Sequence, residues 1–339
     1  MRRFWLFRSN IRHLEYYHEF RDLKIFKEKC HDYYMLLPLW LLEKDYFDEV
    51  TVWRLSNQPI NQKIIFDVGG KRYIQRWVND FRDTFKHDPP EMSFWRGGFP
   101  EYDFVTKERP DHFGKKIYLG AGRRLFPQWG GKYDVFLMED ERDIVKNKNC
   151  IPFYKTASPQ IFHPIKKEIK WDICWPCNFT QTRYKGQKFF ISRIANSPEL
   201  QTLKIAHCGN KPEVGKDLCD RFGVKNIQFF GWVEREKLND ILNESFFGLN
   251  LSNDIDGCPR VSTEILMSGT PLILREKVRL LKDFRKKGVI EVNERNMTEQ
   301  IMLGLKNYSD LKNDVMDIIR TTLSFDNINQ KNIELWKKI

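Results

Sequence analysis

From Lys170 onward the chain alternates short apolar runs with amphipathic stretches, and that rhythm leaves few folds open. The apolar runs are Trp171–Trp175, Thr202–His207, Ile227–Gly231, Phe246–Leu251, Pro271–Leu274 and Gly288–Val292. Helical patterns lie between them at Gln187–Ala195, Glu213–Phe222, Glu234–Glu244, a short stretch closing at Gly269, and Val278–Phe284, with long helical stretches to the C-terminus. Short strands buried on both faces and separated by helices pair in parallel, with helices on both sides of the sheet. The expected class is therefore α/β.

The first half is less regular. Leu23, Phe26, Cys30 and Tyr33 recur at helical spacing, so residues up to about 50 read as helical. Strand signals follow at Glu49–Leu55, Lys63–Val68, Arg72–Val78, Met92–Trp95, Lys116–Leu119 and Tyr133–Met138, and residues 80–91 read as a loop ending in Pro89-Pro90. The last three strands end in glycines or acids, and in an open α/β sheet ligands bind at the carboxyl ends of strands. Pro159, Pro164 and a lysine cluster interrupt the periodicity, placing a domain boundary there. The expected division is 1–165, 166–322 and a C-terminal helix over 323–339 that either docks on its own domain or crosses back to the first.

At 339 residues the chain is long enough for two domains. No apolar run reaches the ~18 residues a membrane span needs, and Tyr33–Leu42 is interrupted by Pro38. The basic start, Met1–Arg8, has too short an apolar stretch for a signal peptide. Seven scattered cysteines, an odd number, argue for a reducing compartment. The expected location is the cytoplasm, with peripheral contact to an anionic membrane left open by the net charge of +11. The same charge suits anionic diphosphates; no basic-aromatic motif points to nucleic acid.

The most informative segment is Asn226–Leu274. After the strand Phe246–Leu251 comes Asp256-Gly257-Cys258-Pro259-Arg260-Val261-Ser262-Thr263-Glu264, two acids bracketing a glycine turn that opens a helix. Backbone N–H groups at a helix start suit phosphate oxygens, and flanking carboxylates suit sugar hydroxyls. At these residues the chain resembles the retaining GT-B glycosyltransferases of family 4, which carry an acid, Gly, an apolar residue, Pro, four more residues and Glu. Asp256 stands where those proteins usually have the longer Glu, and Phe229-Phe-Gly-Trp-Val233 resembles their F-x-G-x-V stretch. The resemblance implies two Rossmann-like domains facing across a cleft, the second binding a nucleoside-diphosphate sugar and the first a glycan or lipid-linked acceptor.

It also implies roles. Glu264 would bind the ribose of the donor, Asp256 would lie near the transferred sugar, and Gly257, Cys258, Arg260 and Val261 would offer backbone contacts. The backbone at Val233 would frame the base. Lys185, before Gly186, matches the Lys of a Lys-Gly pair that grips the leaving diphosphate; the customary Gly-Arg upstream is missing, so Arg183 is a substitute candidate. In the first half, Gly97-Gly98-Phe99-Pro100-Glu101-Tyr102 is the sharpest signal, with Gly98 close to the donor and Glu101 and Arg123 toward the acceptor. No metal or other cofactor is expected. Cys174-Trp-Pro-Cys177 follows a strand as a redox pair does, but no thioredoxin-like pattern surrounds it, its strand reads as a sheet edge, and no second ligand pair completes a zinc site. The expected reaction is glycosyl transfer to a hydroxyl, with retention. A sugar-nucleotide epimerase, a phosphorylase and a non-catalytic glycan-binding descendant remain open.

Overall fold

The computed structural model describes residues 1–8, 21–30, 32–55, 63–96, 100–119, 132–139, 149–179, 185–252, 260–278 and 280–338. The chain divides into two units, Met1–Phe153 with Lys331–Ile339, and Tyr154–Gln330.

The first unit holds β1 (Arg3–Arg8), α1 (Leu23–Lys29), α2 (Tyr33–Glu43), β2 (Glu49–Leu55), β3 (Lys63–Val68), β4 (Lys71–Val78) and β5 (Met92–Arg96). It continues with α3 (Pro100–Glu108), β6 (Lys115–Leu119), β7 (Val135–Met138) and β8 (Cys150–Pro152). The sheet order is β3-β4-β2-β1-β5-β6-β7-β8. Every neighbouring pair is parallel except the β3–β4 hairpin. The order runs outward from β1 on both sides, so the sheet reverses its winding between β1 and β5. An aromatic core including Trp5, Phe7, Trp53, Trp95, Tyr102 and Phe113 packs together in this unit. Phe7 and Trp95 stack with centroids 3.6 Å apart. Ten residues of α2 are buried, so its apolar residues surround the helix rather than forming a stripe, as expected of a helix packed on all sides. Asp32 caps it, accepting from Tyr34 N at 3.0 Å.

Four departures from the sequence reading lie in this unit. Residues 3–8 form a central strand, not part of a helical region: a six-residue run buried on nearly every position shows no period to read. The stretch read as a loop contains a 3-10 helix at Phe81–Lys86, capped by Asp80. Within the Gly97–Tyr102 stretch, the residues from Pro100 onward open α3, where proline's fixed φ suits a helix start. The strand Cys150–Pro152 was too short to signal itself.

The second unit alternates β9 (Trp171–Pro176), α4 (Gln187–Ala195), α5 (Pro198–Gln201), β10 (Ile205–Cys208), α6 (Pro212–Phe222) and β11 (Ile227–Phe229). It goes on through α7 (Arg235–Asn243), β12 (Ser245–Asn250), α8 (Arg260–Met267), β13 (Leu272–Arg275), β14 (Val289–Val292), α9 (Met297–Lys306) and α10 (Tyr308–Ile318). The sheet order is β11-β10-β9-β12-β13-β14, all parallel. Its winding reverses between β9 and β12. Cys174 thus lies on a central strand rather than an edge, because later strands add on both sides of β9. The helix expected over 278–284 is a single 3-10 turn, Lys282–Phe284.

The last helix, α11 (Phe325–Lys337), ends in residues that belong to the first unit. There Trp336 is buried against Phe94 and Phe153, and Asn332 Nδ2 donates to the Tyr33 hydroxyl at 3.1 Å. Among the described residues no helix is long and apolar enough to cross a membrane.

Candidate functional site in the second unit

The reversal of winding between β9 and β12 leaves a crevice beyond their carboxyl ends, the usual ligand position in such sheets. A cavity of about 340 Å³ lies there, within the 300–1,000 Å³ range of small-molecule sites. Trp175–Asn178 at the end of β9, Cys208–Gly209 at the end of β10 and Leu249–Ser252 at the end of β12 form its walls, with Lys185, Trp232, Val233, Arg235, Arg260, Val261 and Glu264.

Glu264 is on α8, one turn beyond Arg260, so Arg260, Val261 and Glu264 share the face toward the cavity. Its side chain is buried, and both carboxylate oxygens accept from Arg235 Nη1 at 3.2 Å. Arg235 opens α7, just past the Phe229–Val233 stretch. A carboxylate offers about four acceptor positions, so the ion pair leaves Glu264 capacity for hydroxyl donors. The start of α8 is tied to β12: Asn250 Nδ2 donates to Ser262 Oγ at 2.7 Å, and Asn250 Oδ1 accepts from Ser252 N at 3.1 Å.

Lys185 reaches the cavity wall just before α4. Gly186 caps that helix at φ 74°, and a Cβ there would sit 2.4 Å from the Leu251 carbonyl oxygen. Only glycine permits both the left-handed turn and this approach, which brings the positive start of α4 beside the end of β12. A Cβ on Gly209 would likewise lie 1.9 Å from the Cys177 carbonyl oxygen. Gln187 Nε2 bonds the Asn178 carbonyl at 2.8 Å, and Asn178 Oδ1 accepts from Asn210 N at 2.9 Å. Three loops of the floor are locked to one another in this way.

Behind the floor, His207 is fully buried among Trp175, Phe179 and Phe229. Burial pushes its pKa down to about 4, opposed only weakly by the Cys177 carbonyl. Neither ring nitrogen has hydrogen-bond geometry to a partner, so the residue is a neutral piece of core. The Cys174 thiol is pushed well above its usual range, first by burial and then by the neighbouring Cys208 thiol on β10. Cys174, Cys177 and Cys208 are free thiols, and a buried protonated thiol such as Cys174 lacks the nucleophilic thiolate of a redox motif.

Of the residues singled out from sequence, Lys185, Val233, Arg260, Val261 and Glu264 converge on this cavity. Glu101 stands exposed in the first turn of α3, in the other unit. Asp256, Gly257, Cys258, Arg183, Gly98 and Arg123 lie outside the described residues. Sequence reasoning missed Arg235 and Trp232, the latter 61% exposed at the cavity wall. A cation opening the helix after a Gly-Trp-Val turn was the available signal for Arg235. Among the described residues no group of three or more His, Cys, Asp or Glu side chains could hold a metal.

No protein-family model matches the chain, and no curated protein matches it. Solved structures do. Sucrose-phosphate synthase from Thermosynechococcus elongatus is similar at TM-score 0.67 and 10% identity, covering 100% of this chain and 99% of that one. A glycosyltransferase from Rickettsia africae gives TM-score 0.67 at 10% identity, over 99% and 98% of the two chains. HepE from Anabaena, in complex with UDP and glucose, gives 0.65 at 9% over the full length of both. Identities this low speak for architecture alone: the chain has the GT-B fold, two parallel-sheet α/β domains of the kind glycosyltransferases use.

Proposed function

We propose that the protein is a glycosyltransferase that moves a sugar from a nucleoside-diphosphate donor, held in the second unit, to a hydroxyl of an acceptor bound by the first. The observation that carries this reading is the cavity at the β9/β12 reversal, where a buried carboxylate on one helix and a lysine before another face the same space. Glu264, steadied by Arg235, accepts hydrogen bonds from the ribose hydroxyls. Lys185 and the N–H groups opening α4 take the diphosphate, whose charge grows as the bond to the sugar breaks. The exposed indole of Trp232 and the backbone at Val233 border the base.

Asp256 near the anomeric carbon and Arg183 beside Lys185 complete the proposal on the strength of the family 4 resemblance, as do Gly257 and Cys258 on the donor. Gly98 on the donor and Glu101 and Arg123 on the acceptor are proposed from the close backbone approach that glycine allows and from their charge. Retention at the anomeric carbon belongs to the same resemblance. The diphosphate charge is met by side chains, so the reaction is proposed to run without a metal. The acceptor is a glycan or a lipid-linked hydroxyl, in the cytoplasm or at its membrane face. A titration of the purified protein with uridine, guanosine and adenosine diphosphates tests the reading: one should bind and raise the melting temperature, since a ligand that prefers the folded state stabilises it. Absence of binding by all three would overturn it.

A further inference from the structure

The first unit carries its own constellation at its own reversal of winding. β2, β1 and β5 are neighbours; β1 and β5 end in an aromatic residue followed by arginine, Phe7-Arg8 and Trp95-Arg96, and β2 carries Trp53-Arg54 one residue before its end. Their register is parallel and matched, with Phe7 opposite both Trp53 and Trp95, and Arg8 opposite both Arg54 and Arg96. Side chains alternate across a sheet, so the three aromatic rings enter the core on one face and the three arginines stand in a row on the other. Neighbouring strands are about 4.8 Å apart, and like charges directly opposite one another destabilise a sheet. Nothing in packing asks for such a row.

The surroundings show how it is held. Arg8 Nη1 meets Asp32 Oδ2 at 2.6 Å. Arg54 Nη2 contacts Met35 Sδ at 2.9 Å, and its guanidinium carbon lies 5.4 Å from the Trp77 ring. Arg96, half-buried, makes no ion pair among the described residues. Its guanidinium carbon lies 4.0 Å from the centroid of the buried Tyr34 ring, and that of Arg8 lies 5.9 Å from the same centroid. The Tyr34 hydroxyl reaches Glu139 Oε1 at 3.5 Å, and Asp32, the other acid here, is already shared between Arg8 and the Tyr34 amide. The Arg96 carbonyl is fixed by the Tyr102 hydroxyl at 3.0 Å. Stacking orients a planar guanidinium while leaving its edge donors available, the geometry that suits a bidentate oxyanion.

We propose that the carboxyl ends of β1 and β5 form an oxyanion site in which Arg96, flanked by Arg8, binds a phosphate or carboxylate group carried by the acceptor. This rests on the proposed assignment of the first unit to the acceptor, and it narrows that acceptor to an anionic one. A charged anchor in the acceptor positions its hydroxyl through a contact remote from the reacting centre.

The test titrates the full-length protein with inorganic phosphate and, separately, with glucuronate at constant ionic strength, in wild type, Arg96→Gln, Arg96→Lys and Lys185→Ala. At least one anion should bind wild type. Arg96→Gln should weaken it by about tenfold or more, as expected for a charge-assisted contact; Arg96→Lys should retain part of the affinity, and Lys185→Ala should keep the Arg96-dependent binding even where phosphate held at the donor site is lost. Phosphate alone binding identifies a phosphoester, glucuronate alone a uronate, and both a general oxyanion site. If Arg96→Gln does not fold, Arg96→Lys decides, since a lysine cannot reproduce the planar fork and should bind several-fold more weakly. Binding of neither anion, or a loss that follows Lys185→Ala instead of Arg96, overturns the proposal. Failure of the donor reading would appear elsewhere, as nucleoside diphosphates that do not bind while Arg96-dependent anion binding persists.

Discussion

Replacing Glu264 with alanine is the most direct perturbation of the donor reading, because its effects on binding and on folding separate. The carboxylate is 8% exposed and its partner Arg235 is 30% exposed. Breaking a fully buried pair costs about 3–5 kcal/mol. Arg235 can turn toward water, so the expected loss is smaller, about 1–2 kcal/mol after that relief, or a few degrees in melting temperature for a unit of this size. Donor binding should suffer more. Two hydrogen bonds to a charged acceptor contribute about 1.5–3 kcal/mol each; with water filling part of the gap, the lower end gives a loss of about a hundredfold in affinity. Calorimetric titration of the nucleoside diphosphate that binds wild type, with a melting curve for each variant, measures both. Arg235→Ala and the double variant complete a cycle. If Glu264 contacts the donor, Glu264→Ala should lose far more affinity than Arg235→Ala. Unchanged affinity in Glu264→Ala, or an equal loss in all three variants, would refute direct contact and leave the carboxylate as a tether for Arg235.

Lys185→Ala should weaken diphosphate binding by about 10–100-fold while leaving an uncharged nucleoside unaffected, read by the same titration. Gly186→Ala forces a left-handed residue and puts a Cβ 2.4 Å from the Leu251 carbonyl oxygen, so donor affinity and melting temperature should fall together; a variant with wild-type values would show the loop to be slack. The fold should weaken in acid through His207. The unfolded residue titrates near 6.5 and the buried one at about 4, so the unfolded chain binds the extra proton between these values. The stability is present in full above pH 6.5 and falls by roughly 3 kcal/mol toward pH 4. His207→Phe, apolar and of similar size, should flatten that part of the stability-pH curve. Transfer activity should persist in excess EDTA, and a loss restored by a divalent cation would contradict the metal-free proposal.

The second unit was largely legible in its sequence and the first much less so, for a physical reason. In the second, strands of three to six residues are mostly spaced by amphipathic helices, so hydrophobic periodicity switches cleanly at most boundaries. Lys185, Val233, Arg260, Val261 and Glu264 could be brought together because each sits at a strand end or helix start, where the winding of the fold decides position. Arg235 escaped notice because its importance is a pairing across two helices that no local pattern records. In the first unit β1 is buried along almost its whole length and α2 is apolar on every side. Neither then shows a period, and the two read alike as hydrophobic stretches.

The arginine row is the instructive case. Arg8, Arg54 and Arg96 are 46 and 42 positions apart in the chain, and each alone is an ordinary charged residue closing an apolar run. Only the strand order makes them neighbours, because β1 is laid down first and later strands add on either side of it. The same growth from the first strand outward opens the crevice between β9 and β12 in the second unit. In both sheets, then, the winding reverses where the charged side chains gather, one with a carboxylate and a lysine, the other with arginines. A doubly wound sheet creates that opening whatever sequence fills it. What the sequence adds is the sign of the charge placed there, and the first unit's is positive.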